Sequence, residues 1–343
     1  MPPTKKTRIA VVGVGAFGRN HARVYHELAQ QDESVELVAI VDANIGRAKE
    51  IARQFGAQAC ETVSDLKGMV DAATVAVPTV AHLEVAQQLM RDGIDVLIEK
   101  PIAQSLREAD ELIKLARQHQ RIATVGHLER FNPAVRATRK LITKPMFFEV
   151  HRLSIFTPRA LDVDVVLDLM IHDLDIVLSF VDSPVKEVRA VGLPILSDKV
   201  DIANVRMEFD SGCVANFTAS RVSTERIRKL RFFQPQQYVS LDYTRQDVIV
   251  FSVDAEGKST LSAPGLAELD AAQLSPHPSG PQIRPFKPEI VHEEPLHAEL
   301  QAFLSSVRDR TQPAVPLEEG RRALSVALDI LAAIRDHSRR IGL

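Results

Sequence analysis

The sequence predicts an α/β protein in two parts. A doubly wound parallel sheet comes first, then an α+β part built on an open, mostly antiparallel sheet. Three observations carry that expectation. An apolar run at 8–12 leads straight into Gly13-Val14-Gly15-Ala16-Phe17-Gly18 and a helical pattern. Short apolar runs then alternate with helical stretches to about residue 125, the pattern of a parallel sheet covered by helices on both faces. Beyond that point one long apolar helix precedes six strand-length apolar runs with no helix between them. The reading divides the chain into domains at 1–125 and 126–343.

Residues 8–12 read as a buried strand and about 19–30 as a helix, so the glycines stand in a strand–turn–helix context. In that context Gly13 permits the turn, Gly15 lets the backbone approach a pyrophosphate, and Gly18 lets helix and strand pack closely. The free amides of the helix start, around Ala16 and Phe17, face the phosphates. A second strand at 36–41 ends in Asp42, whose carboxylate suits the two ribose hydroxyls of adenosine and repels a 2′-phosphate. NAD is therefore expected over NADP, with Arg47 nearby able to soften the choice. This is a Rossmann-type dinucleotide-binding unit.

Strands follow at 73–77 and 95–99, each with a helix behind it (about 81–92 and 106–119), and a last one at 122–125. Open parallel sheets gather ligands at the carboxyl ends of their strands. Val77-Pro78-Thr79 and Glu99-Lys100-Pro101 therefore emerge at the edge where the glycine turn lies, and His82 follows closely. Lys100 is poorly explained by packing, because a buried ammonium is costly without a partner. It is the first candidate for chemistry.

In the second part, 146–152 reads as a strand, followed by a loop rich in Pro and Arg and a helix at 165–181. That helix is apolar nearly all round, yet Asp168, His172, Asp175 and Ser179 fall on one narrow stripe. Such a stripe is either hydrogen-bonded inside the protein or lines a cavity, and its length favours a cavity. The six runs are 185–192, 202–209, 213–220, 228–233, 237–242 and 247–251, with Asp210-Ser211-Gly212 as a tight hairpin turn. Residues 252–295 are rich in Pro, Gly and Ser and read as a long loop or arm. Helices at 296–309 and 317–337 close the chain.

The bulk numbers narrow the function. The chain has 343 residues, 45% of them apolar and 25% charged, with a net charge of −3. Nothing there draws the protein to nucleic acid or an anionic membrane. The basic cluster Arg226, Arg228, Lys229 and Arg231 suits the wet face of a strand. Cys60 and Cys213 are the two cysteines, too few for a disulfide framework or a Cys-based zinc site, and a reducing cytoplasm is the expected setting. Lys5, Lys6 and Arg8 precede an apolar run loosely as in a signal peptide, but the run is short and lacks a small-residue cleavage site. No metal is expected.

The motifs GVGAFG, the acidic Asp42, VPT, EKP and the Asp-x-x-x-His pair of Asp168 and His172 resemble the glucose–fructose oxidoreductase/inositol dehydrogenase (Gfo/Idh/MocA) family. The resemblance covers about 7–251 and 293–337, the latter through Glu293-Glu294-Pro295-Leu296 and Glu318-Glu319-Gly320. It implies a nicotinamide-dependent oxidoreductase acting on sugars or cyclitols, with Lys100, Asp168 and His172 as the catalytic set. Cofactor contacts are implied at Gly13, Gly15, Ala16, Phe17, Gly18, Asp42, Val77, Pro78, Thr79, His82, Glu99 and Lys100. It also implies a homo-oligomer, dimer or tetramer, formed through the open sheet. Many members carry a glycine-rich stretch before the Asp, whereas this chain has Asp162-Val163-Asp164-Val165-Val166-Leu167.

Within the family, 126–134 and 169–173 most resemble enzymes that oxidise the C3 hydroxyl of UDP-N-acetylglucosamine. On that resemblance Arg130, Arg152 and Arg159 are candidate partners for a substrate diphosphate, because Arg makes bidentate phosphate contacts. Asn132, Asp168 and His172 complete the substrate set. Either His172 or Lys100 can serve as the base that takes the hydroxyl proton. The rival readings are an inositol or other sugar dehydrogenase, a non-catalytic nicotinamide-binding regulator, and a metal-dependent lyase on Asp168 and His172.

Overall fold

The computed structural model describes residues 6–157, 163–254 and 282–342. The described chain divides into two compact units, Met1–Phe131 with Glu294–Ser325 and Asn132–Glu293 with Val326–Leu343.

The first unit carries a six-stranded parallel sheet ordered β3-β2-β1-β4-β5-β6, the strand order of a doubly wound dinucleotide fold. Its strands are β1 (Thr7–Val12), β2 (Val35–Val41), β3 (Gln58–Cys60), β4 (Ala72–Val75), β5 (Asp95–Glu99) and β6 (Ala123–Gly126). The central strands read as continuous apolar runs because helices bury both faces. Ile9, Ala10, Val11, Ala72, Ala73 and Val96 to Ile98 are fully buried. Helices α1 (Ala16–Gln31), α2 (Ile45–Phe55), α3 (His82–Arg91) and α4 (Leu106–Gln118) connect them. Asn44 caps α2 by accepting from the Arg47 amide, and Gly56 ends it at positive φ. Ser105 caps α4 through the Glu108 amide.

The unit is completed from far along the chain. Helix α7 (Pro295–Asp309) lays Leu300, Phe303, Leu304 and Val307 into the core formed by β1 and α1. Residues just before the last helix lie along β6. The Val125 amide and the Thr124 hydroxyl both donate to the Val315 carbonyl, at 3.1 and 2.8 Å. This covers an edge strand that would otherwise offer unpaired backbone groups.

The second unit holds an eight-stranded sheet ordered β14-β13-β12-β11-β7-β10-β9-β8. Its strands are β7 (Phe147–Ile155), β8 (Val185–Leu193), β9 (Ile202–Phe209), β10 (Val214–Ser223), β11 (Ile227–Gln234), β12 (Gln237–Asp242), β13 (Asp247–Asp254) and β14 (Gln282–Phe286). Among the described residues, only the β7–β10 pairing of this sheet is parallel. The 210–212 turn is a tight hairpin, with the Gly212 amide on the Phe209 carbonyl and Gly212 at φ +83°. One face is apolar and buried through Phe148, Val150, Phe217, Leu230, Phe232, Val239 and Val250. Two further helices belong here, α5 (Pro133–Arg139) and α6 (Ile171–Phe180). The last helix, α8 (Leu317–Ile341), supplies residues to both units.

Three differences from the sequence reading stand out. The long helix at 165–181 opens as a π-turn over Val166–Met170 before α6 begins. Helix α5 lies where no element was expected, started by Pro133 at its first turn and capped by Asn132. The stretch read as a loop at 252–295 contains β14, which pairs with β13; residues 255–281 of it lie outside the described residues. Both cysteines are free and buried, and burial pushes the Cys213 thiol up to about 11. Among the described residues no helix is long and apolar enough to cross a membrane.

Candidate active site

The two halves of the expected site belong to different units. In the first, the glycine turn has the shape its spacing demands. Gly13 sits at φ +85°, and a Cβ there would stand 2.7 Å from the Ala76 carbonyl oxygen. A Cβ on Gly18 would meet the Gly13 carbonyl oxygen at 1.7 Å. Gly15 is different: nothing lies within 4 Å of its Cβ position, so the space beside it is open. The start of α1 has no side-chain cap and no acidic residue in its first turn. Its amides are therefore available to an anion, and the helix dipole favours one. Ala16 and Phe17 are exposed there, Phe17 at 61%.

Asp42 closes the far side. Its Oδ2 accepts from the Val14 amide and its Oδ1 from the Asn44 amide, both at 2.8 Å, which fixes the carboxylate against the glycine turn. Arg47 stands 3.7 Å away. Each carboxylate oxygen accepts more than one hydrogen bond, so ribose hydroxyls fit beside these amides. Open space at Gly15, bare amides and a pinned carboxylate make a cradle that fits a dinucleotide.

Lys100 follows β5 at the same sheet edge and is half-buried. Its neighbour Glu99 is held firmly: Oε1 lies 2.7 Å from His21 Nε2 on α1, and Oε2 accepts the Lys100 amide at 3.2 Å. Burial opposes the charge on Glu99, but the hydrogen bond and charge of His21, with the charge of Lys100, outweigh it and hold the carboxyl below the usual range. Glu99 lies under Gly126, where a Cβ would come within 3.1 Å of the carboxylate. Val77, Pro78 and Thr79 sit at the neighbouring strand end, Pro78 exposed and the other two half-buried. His82 does not face that opening. It is 1% exposed, and its ring nitrogens lie against the carbonyls of Val77, Pro101 and Ile102. Its ring thus bridges the turns after β4 and β5.

In the second unit, Asp168 lies in the π-turn and His172 in the first turn of α6, both half-buried. π-turns inside helices commonly mark functional sites. Further along the stripe Asp175 is 1% exposed, and the half-buried Ser179 donates its hydroxyl to its own helix at Ile176. Thus Asp175 is the buried member of the stripe, while Ser179 is half-buried like Asp168 and His172. Beside it, Asp173 forms a buried bidentate pair with Arg152, whose Nε and NH2 groups reach the carboxylate at 2.6 and 2.9 Å. The Arg152 guanidinium also stacks 5.0 Å from the Tyr243 ring.

That pair changes the reading of the substrate arginines. Arg152 is a buried partner of Asp173, 2% exposed, rather than an open anion contact. The Arg130 side chain is 6% exposed and bonds Glu319 at 2.7 Å. Asn132 caps α5 with its Oδ1 and donates to the Tyr243 carbonyl at 3.0 Å. All three are candidates for the substrate, and in the structure each also has a partner within the protein. Arg159 lies outside the described residues.

Sequence reasoning missed His21 and Gly126 around Glu99. It also missed a buried node that fixes the start of the Asp168 segment. Arg221 pairs with Asp201 at 3.0 Å and donates to the carbonyls of Val163 and Val200. The alternation of β10 put Arg221 on an inward position, a signal that an unpaired reading of the sequence passes over.

Comparison with known proteins agrees with this geometry. The family description "Oxidoreductase family, NAD-binding Rossmann fold" matches residues 7–127, and the "GFO/IDH/MocA C-terminal domain" matches residues 142–234. A UDP-N-acetylglucosamine 3-dehydrogenase of Acidithiobacillus ferrooxidans is 34% identical over 334 residues, covering 97% of this chain and 99% of the relative. A solved structure of the enzyme of that name from the same organism superposes with a TM-score of 0.84 at 32% identity, over 96% and 98% of the two chains. A scyllo-inositol 2-dehydrogenase (NAD(+)) of Bacillus subtilis is 27% identical over 64% of this chain and 68% of its own.

Proposed function

The chain belongs to the Gfo/Idh/MocA family of NAD-dependent oxidoreductases, and on that premise we propose that it oxidises the C3 hydroxyl of UDP-N-acetylglucosamine to the ketone. One observation carries the choice of substrate: likeness to a UDP-N-acetylglucosamine 3-dehydrogenase runs through 97% of this chain in sequence.

Oxidising a secondary alcohol removes a hydride from carbon and a proton from oxygen. Bound NAD supplies the hydride acceptor. The chain must hold NAD, receive the proton and stabilise charge on the oxygen. The cradle at Gly13, Gly15, Gly18 and Asp42 holds the dinucleotide. His172 takes the hydroxyl proton, as a neutral imidazole nitrogen within reach of the substrate can. Asp168 orients that ring or a neighbouring sugar hydroxyl. The Lys100 ammonium binds the reacting oxygen and stabilises its developing negative charge.

The same reading makes the protein a cytoplasmic homo-oligomer. Two free thiols suit a reducing compartment. The outer face of the second unit's sheet carries an aromatic ladder suited to a second copy of the chain.

The test is NADH release from purified protein with NAD and a panel of UDP-N-acetylglucosamine, UDP-glucose, myo-inositol and scyllo-inositol. Mass spectrometry for loss of two hydrogens guards against NADH that stays bound. Turnover with the UDP-amino sugar is expected; turnover with inositols alone would keep the family and discard the nucleotide sugar. Lys100→Ala and His172→Ala should fold and bind NAD yet lose about 10²- to 10⁴-fold in kcat. Wild-type turnover in either variant removes that residue from the mechanism.

A further inference from the structure

Two buried histidines of the first unit have no part in the chemistry above. His82 opens α3, and its Nε2 lies 3.0 Å from the Val77 carbonyl oxygen. Its Nδ1 lies 3.0 Å from the Pro101 carbonyl oxygen and 3.3 Å from that of Ile102. One ring therefore spans the turn after β4 and the turn after β5. Burial pushes the His82 pKa down, against the pull of these carbonyls and of the Glu99 charge. The neutral ring has one N–H to donate, and packing holds its other nitrogen against a carbonyl.

His21 is 1% exposed on α1 and bonds Glu99 Oε1, while Glu99 Oε2 accepts the Lys100 amide. Gly126 leaves just enough room for that carboxylate. The residues on both sides of Lys100 are thus fixed by a buried imidazole, His21 through Glu99 and His82 through Pro101. Burying two such rings costs desolvation that an aliphatic side chain of similar size would avoid. Their bonds converge on one short turn, and that turn carries Lys100.

We infer that His21 and His82 are positioning residues for Lys100, holding its backbone from both sides so that the ammonium meets the reacting oxygen at one place. This rests on the role given to Lys100 above. Neither ring is exposed enough to touch a ligand, so their effect passes through the lysine.

The experiment compares full-length His82→Leu, His82→Gln, His21→Leu and His21→Gln with wild type and Lys100→Met, by melting, NAD titration and steady-state kinetics. The Leu variants pack but cannot donate. They should keep NAD affinity and substrate KM within about threefold and lose kcat by about 10- to 100-fold, as a catalytic group displaced by about an ångström would. The Gln variants restore a donor and should retain more kcat than the Leu variants. Leu variants with wild-type kcat would overturn the inference, and so would Leu variants more active than Gln. Loss of the folded state in both variants of either histidine would overturn it too, making that ring a requirement of the fold. If Lys100→Met turns over normally, the role of Lys100 itself fails; if Lys100→Met is inactive, a failure among the histidine variants strikes this inference alone.

Discussion

At the scale of single residues, the three motif glycines answer to different neighbours, and their substitutions separate accordingly. A Cβ on Gly18 would meet backbone at 1.7 Å, whereas one on Gly15 meets nothing within 4 Å. Gly18→Ala should therefore melt far below wild type or fail to fold, the overpacking cost of about 1–3 kcal/mol being a lower bound when backbone is struck. Gly15→Ala should melt with the wild type yet bind NAD at least about tenfold more weakly, a loss of about 1.4 kcal/mol. Calorimetry with NAD titration checks both; a Gly15→Ala variant of full affinity would remove the pyrophosphate from that turn. These roles were legible because turn, spacing and flanking elements are local. Arg130, Arg152 and Asn132 were not legible in the same way. The partner of Arg130 lies 189 residues downstream, and nothing in the local sequence tells which carboxylate an arginine will meet.

At the scale of elements, the segment bearing Asp168 is anchored at its start by a buried polar node. Asp201 accepts from the amides of Ile195, Leu196 and Ser197 and from the Ser197 hydroxyl, and pairs with Arg221. Arg221 then holds the Val163 carbonyl, and Asp164 accepts the Val200 amide at 2.9 Å. Burial works against the Asp201 charge, but the Leu196 and Ile195 amides and Ser197 more than offset it, so its carboxyl sits below the ordinary range. A folded-state value below the unfolded one contributes stability that is complete above about pH 4 and is lost as pH falls through the lowered folded value. Asp201→Asn should therefore lower the melting temperature at neutral pH, with a gap to wild type that narrows below about pH 4. Breaking a buried pair of this kind costs about 3–5 kcal/mol, and turnover should suffer with it as the Asp168 turn loosens. A gap independent of pH would refute the charge-based account. The helix itself was legible from its apolar run; the π-turn was not, because an extra residue in one turn leaves composition unchanged.

At the scale of the whole molecule, five of the six parallel strands were legible because burial on both faces writes itself as apolar runs bounded by turns; β3, three residues at the sheet edge, was not. The return of residues 294–325 to the first unit was less legible, since it depends on α7 meeting α1 and on residue 315 pairing with β6. One face of the second unit's sheet carries a row of aromatic side chains. Across it Phe147 pairs with Phe233, Phe233 with Tyr238, and Tyr238 with Phe251, in register over four strands. Their ring centroids stand 5.8, 5.1 and 5.6 Å apart, and Phe233 is 39% exposed among the described residues. The next row, Arg231 opposite Glu149 and Asn216 opposite Arg206, is polar and could fix register between two copies. An aromatic strip beside a polar row is the anatomy of a specific interface, where a central aromatic residue can carry 2 kcal/mol or more, about thirtyfold in affinity. Phe233→Glu should then shift the protein toward monomer by light scattering across a dilution series, with NAD affinity unchanged because the cradle lies in the other unit. A variant that keeps the wild-type mass at every dilution would place the assembly surface elsewhere, and a wild type that is already monomeric would leave the aromatic ladder without a second copy to explain it.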